Sequence, residues 1–197
     1  MSTYDCFIRI RLPLTDELKP DRDGTGHFDL RINKANFHFE SKTYNNYSET
    51  KITRSYTNPI ISYGGGGYVT VCDASNDTMI DKTMMCKHKI IGNDQGVDEI
   101  IDWLEKYCEF DSEKSSNIVH KYKVTSGKFK TYEKADRSCF ACAAVWCELL
   151  GYSTLMNIYN ENTYPKGKLD SNGYKKYTAW PMFRTYHRSW IFDKLRV

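Results

Sequence analysis

The 197-residue sequence has no uninterrupted apolar run of the length, about 18 residues, that a membrane-crossing helix needs. Its opening residues, Met1-Ser2-Thr3-Tyr4-Asp5, lack the charged and apolar regions of a signal peptide. These absences lead us to expect a chain made in the cytoplasm and not stably inserted in a membrane, with any export using a route that needs no cleavable signal. Blocks of like charge are also missing. The formal charge is only +3, and basic residues gather only loosely in the tail from Lys166 to Arg196, so no nucleic-acid partner is expected. The seven cysteines form an odd set without the paired spacing of a disulfide scaffold, which points to reduced thiols. Cys139 and Cys142 make one C-x-x-C pair, but no second pair or histidine pair follows at zinc-finger spacing. The intervening Phe-Ala is unlike the Pro-containing centre of a redox motif. Neither a metal nor a cofactor is expected. The run Gly64-Gly65-Gly66-Gly67 lacks the Gly-Lys-Ser/Thr of a phosphate-binding loop and reads as a wide turn between strands.

What is present fits one globular domain over residues 1–197, with 40% hydrophobic and 27% charged residues and an aromatic-rich interior or cleft supplied by 15 tyrosines and 4 tryptophans. Cys6 to Leu12 alternates with period two, which predicts a strand with Cys6, Ile8, Ile10 and Leu12 on the core face. A polar loop follows, with turn chemistry in Asp21 to Gly26. His27 to Ile32 and Phe37 to Glu40 flank Asn33 to Asn36 and read as a hairpin. Pairing Ile32 with Phe37 would set Arg31 opposite His38, Asp29 opposite Glu40 and His27 opposite Lys42 on one polar surface. Phe28, Leu30, Ile32, Phe37 and Phe39 would then enter the core. Residues 50 to 72 read as two further short strands, Tyr68 to Val71 being the clearer. From Asp94 the spacing of Val97, Ile100, Ile101, Leu104 and Cys108 predicts an amphipathic helix. Ile118 to Val124 alternates as another strand, with His120 a satisfied edge or core histidine.

The most informative segment begins at Ser138. Cys139 to Leu150 is an apolar helix, with Ser138 or Asp136 as N-cap and Gly151 as its stop. A cysteine in the first turn meets unpaired backbone N–H groups and the positive end of the helix dipole, which favour a thiolate and can hold an oxyanion. Cys142 and Cys147 lie deeper and read as small core hydrophobes. A free cysteine in an apolar helix is more often packing than catalysis, so position alone does not make Cys139 a nucleophile.

Gly26-His27-Phe28-Asp29-Leu30 at a strand start, together with Ser138-Cys139 opening a helix closed by Leu149-Leu150-Gly151, resembles the circularly permuted branch of the papain-like NlpC/P60 superfamily, in which histidine precedes cysteine. The match covers about a tenth of the chain. The opening from Tyr4 to Leu14 before Gly-His is similar to amidase effectors of type VI secretion. The family often has Asn before the cysteine, where this chain has Ser138. The resemblance implies an α+β fold in which an antiparallel sheet packs against the nucleophile-bearing helix. It implies a Cys139–His27 catalytic pair, with His38 or Glu40 orienting the histidine. It further implies a cysteine amidase or endopeptidase acting on peptidoglycan peptides as an antibacterial toxin in a target cell's periplasm, with an immunity protein as partner. Two alternatives stand beside it. One is a thiol acyltransferase or lipase of the lecithin:retinol acyltransferase type, disfavoured by the lack of an apolar anchoring helix. The other is a non-catalytic binding module. The aromatic tail containing Tyr174, Trp180 and Trp190 would line a cleft or serve as ordinary core and rim.

Overall fold

A computed structural model describes residues 1–11, 27–64, 67–76, 85–114, 119–124 and 139–163. Leu12, the Asp21 to Gly26 loop, Gly65, Gly66, Asp136, Ser138 and the tail from Lys166 onward lie outside the described residues. The architecture is mixed α+β with antiparallel strand pairing throughout. In chain order the strands are β1 (Thr3–Arg11), β2 (His27–Ile32), β3 (Phe37–Asn45), β4 (Ser48–Tyr56), β5 (Ile60–Gly64), β6 (Tyr68–Cys72) and β7 (Met85–Asn93). Helix α1 (Asp94–Tyr107), strands β8 (Cys108–Lys114) and β9 (Val119–Val124), and helices α2 (Cys139–Leu149) and α3 (Thr154–Thr163) follow. Seven strands form one sheet in the order β7-β1-β2-β5-β6-β9-β8, while β3 and β4 form a separate two-stranded ribbon.

Alternation does the sorting that period two requires. Cys6, Ile8 and Ile10 of β1 and Phe28, Leu30 and Ile32 of β2 are all buried. They face α2: the Phe28 and Phe140 rings meet at 4.8 Å, and burial of Cys147 is accompanied by repulsion from Cys6. The opposite face of the same strands carries an ion pair. Arg9 and Asp29 are register partners, and their side chains join through two contacts of 2.6 Å with almost no exposure. A fork-to-fork pair of this kind satisfies both charges where water cannot.

The expected hairpin between β2 and β3 does not form. Both edges of β2 are occupied, by β1 on one side and β5 on the other. At the end of β2, Ile32 donates its N–H to Pro59 and Asn33 donates to Asp5, so the residues that would begin the turn are held by other segments. Strand β3 pairs instead with β4, His38 opposite Ser55 and Glu40 opposite Thr53. The core assignments survive, because Phe37 and Phe39 are buried with Tyr56 of β4. The polar row that joined His27 to His38 and Glu40 does not exist. Strands β7 and β8 are additional to those the sequence predicts, and residues 48–72 hold three strands rather than two. The glycine run joins β5 to β6, and Gly67 takes φ +87° as it enters β6.

Helix α1 starts at Asp94 as expected but ends at Tyr107, so Cys108, expected on its apolar face, takes extended backbone and begins β8. Asn93 caps the helix by accepting from the Gly96 N–H, and Val97, Ile100, Trp103 and Leu104 are buried. Close approach fixes two glycines. A Cβ on Gly96 would stand 2.7 Å from the Leu149 carbonyl oxygen, and one on Gly92 would stand 2.9 Å from the Leu150 side chain. Hence α1 and β7 press directly on the end of α2.

Candidate functional site

Helix α2 is buried along most of its length. Phe140 through Ala144, Trp146 and Cys147 are within the core, whereas Cys139, its first residue, is half-buried. The helix ends as the sequence reads: Tyr152 donates to the Cys147 carbonyl and Gly151 to the Glu148 carbonyl, with Gly151 at φ +89°. That is the Schellman arrangement, which a glycine adopts without a Cβ clash. Burial separates the cysteines chemically. It pushes the Cys147 thiol far above its ordinary value, Cys6 up to about 11 and Cys108 up to about 12. Such thiols are poor nucleophiles near neutrality.

His27 opens β2 and is half-buried. Its Nε2 shares a 2.6 Å hydrogen bond with Ser62 Oγ of β5. By alternation this ring lies on the sheet side of Asp29 and Ser62, while the adjacent Phe28 points to α2. The two candidate residues are thus each the chain neighbour of a phenylalanine in the Phe28–Phe140 contact. His38 and Glu40 are elsewhere, exposed on the β3–β4 ribbon. His38 Nδ1 bonds Ser55 Oγ at 2.8 Å, and Glu40 lies 3.8 Å from Lys51. The structure therefore supplies Ser62, not His38 or Glu40, as the polar group on His27. The one sequence signal for Ser62 is a lone hydroxyl in the apolar strand Ile60-Ile61-Ser62-Tyr63.

His120 occupies a second polar constellation. It is 5% exposed, its Nδ1 is 2.6 Å from the Tyr56 hydroxyl, and its Nε2 is 3.6 Å from Glu113. Tyr56 in turn lies 3.2 Å from the Tyr122 hydroxyl, which also meets Arg54. With neutral His120 protonated on Nε2, the nitrogen that faces Glu113, Nδ1 accepts from Tyr56, and Tyr56 accepts from Tyr122. In that state the chain of donors runs one way, from the Arg54 guanidinium to the His120 imidazole. It fastens the ribbon to β8 and β9, in keeping with a satisfied core histidine.

Among the described residues no three His, Cys, Asp or Glu side chains gather as metal ligands, and no helix is long and apolar enough to cross a membrane. Neither protein-family models, nor curated proteins, nor solved structures give a match to this chain.

Proposed function

We propose that the chain is a papain-like cysteine hydrolase in which Cys139 is the nucleophile and His27 its base, cleaving peptide amide bonds of the kind found in bacterial peptidoglycan. The observation that carries this reading is the 4.8 Å contact between Phe28 and Phe140, which brings together the starts of β2 and α2, the two elements that begin with the candidate histidine and cysteine. Supporting it, Cys139 keeps partial exposure at a helix N-terminus while Cys142 and Cys147 are sealed in the core. Ser62 supplies a polar partner for the His27 ring at Nε2, the kind of group that orients a general base. Since Phe28 takes the helix side of β2, the imidazole has to come round the end of the strand to meet the sulfur. The thiolate then attacks the amide carbonyl, first-turn N–H groups hold the oxyanion, the imidazolium protonates the leaving amine, and water releases the acyl group. In the toxin reading the enzyme acts in a target cell's periplasm and is held in check by an immunity protein.

The alternation that directs His27 to the Ser62 side favours a second reading, a binding module in which the cysteines only pack. The pH profile of Cys139 alkylation separates the two. A Cys–His ion pair gives a reactive plateau well below the ordinary thiol pKa of about 8.5, and His27→Ala abolishes it. A single ionisation near that value in both proteins establishes the binding module. Purified peptidoglycan tests the substrate: wild type is expected to free amines, and Cys139→Ala to lose that release by a factor of about 1000 or more.

A further inference from the structure

A cleft of about 550 Å³ opens between the last turns of α1, strand β3 and the start of β8. None of its lining residues belongs to β2 or α2, so it is separate from the Cys139 region. Its floor is formed by Phe39, Tyr122 and Cys108, all buried. The rim carries charges of both signs, Asp102, Glu105 and Glu109 against Lys42 and Lys106.

The wall beneath the rim holds a buried cation. Arg54 is 8% exposed, and no carboxylate pairs with it among the described residues. It donates to Ser41 Oγ, stands 3.7 Å over the Phe110 ring and meets the Tyr122 hydroxyl. Those three partners all line the cleft. A buried guanidinium whose direct contacts here are to a hydroxyl, a ring and a phenol keeps much of its field. Its field therefore favours an anion on the cleft side of Ser41, whose oxygen already accepts from Arg54 and whose proton is directed elsewhere. The rim has the reverse preference. Lys42 is paired with Glu49 at 2.9 Å and Lys106 lies over Tyr107, whereas Asp102, Glu105 and Glu109 make no ion pair among the described residues.

We propose that this cleft binds a small zwitterion, a molecule with a carboxylate toward Ser41 and Arg54, an ammonium toward the α1 carboxylates, and an apolar body over Phe39 and Phe110. A free amino acid or a peptide end has this chemistry, and the volume lies within the usual range for small-molecule sites. Calorimetric titration of the full chain with L-phenylalanine, N-acetyl-L-phenylalanine and phenethylamine tests it, since the three share one body and differ in charge. Phenylalanine is expected to bind at least about tenfold more tightly than either single-charge probe. The exposed double substitution Asp102→Asn/Glu105→Gln is expected to weaken phenylalanine and phenethylamine and spare the N-acetyl compound. Ser41→Ala is expected to do the reverse. Equal affinity for all three probes, no heat with phenylalanine at about 10 mM, or affinities unmoved by either variant would overturn the proposal.

Discussion

The Tyr56 hydroxyl lies 2.6 Å from Nδ1 of His120, and this bond is one of the links between the β3–β4 ribbon and the seven-stranded sheet. Tyr56 sits at the end of β4 and His120 in β9, 64 residues apart. Burial raises the Tyr56 pKa beyond its ordinary value, so Tyr56 keeps its proton and donates to Nδ1 while His120 is neutral. Tyr56→Phe removes that donor and leaves Nδ1 of a buried imidazole unsatisfied, at a cost of about 1–3 kcal/mol. Urea unfolding at pH 7.5 measures it.

The same pair gives a pH dependence with a definite sign. Burial and then Arg54 lower the His120 pKa below its ordinary 6.5, against the opposing pull of Glu113 and Asp73. The folded state therefore prefers neutral imidazole. Its contribution is complete above pH 6.5 and is lost as pH falls from there through the lowered folded value. His88 is lowered as well, by burial, so the test is a difference. The stability of wild type relative to His120→Gln is expected to decline between pH 7.5 and pH 5. A pH-independent difference would remove His120 as the titrating group.

Asp29 and Arg9 offer the largest single effect. Asp29→Ala removes a carboxylate from a guanidinium that is 2% exposed, at a cost of about 3–5 kcal/mol. Replacing both residues by leucine removes the two charges together and should recover much of that loss. Denaturation midpoints of the single and double variants decide this. A double variant no more stable than Asp29→Ala means the pair is not the origin of the loss.

The two contact glycines should differ in severity. At Gly96 the added methyl meets backbone, the Leu149 carbonyl oxygen and the Leu150 Cα at 2.9 Å. At Gly92 it first meets the flexible Leu150 side chain. Gly96→Ala is therefore expected to destabilise by about 1–3 kcal/mol, Gly92→Ala by less. Thermal unfolding of both variants ranks them.

Thiol labelling of the native protein should follow burial. Cys139 and Cys72 are half-buried, whereas Cys6, Cys108, Cys142 and Cys147 are sealed. Brief iodoacetamide treatment at pH 7.5, followed by peptide mass spectrometry, is expected to mark the first two and to reach the other four only after unfolding. Fast labelling of Cys147 in the native protein would contradict the packing of α2.

Local pattern accounts for what the sequence determined by itself. Period two assigns Cys6, Ile8, Ile10, Phe28, Leu30, Ile32, Phe37 and Phe39 to the core, because side-chain parity depends only on the strand's own backbone. Period 3.6 located α1, and an apolar run ended by glycine located α2 with its Schellman stop. Those same local signals place Cys139 in the first turn of its helix and Cys142 and Cys147 deeper. Strand partners were another matter. Asn33 to Asn36 has ordinary turn chemistry, yet β2 takes β1 and β5 because Asp5 and Pro59 compete for its backbone from distant parts of the chain. Parity was right while pairing was wrong, so Phe37 and Phe39 kept their burial and His38 and Glu40 lost their place beside His27. Only the tertiary structure could assign Ser62 to His27 and Tyr56 to His120, because a hydrogen bond between side chains 35 or 64 residues apart leaves no periodic trace in the sequence.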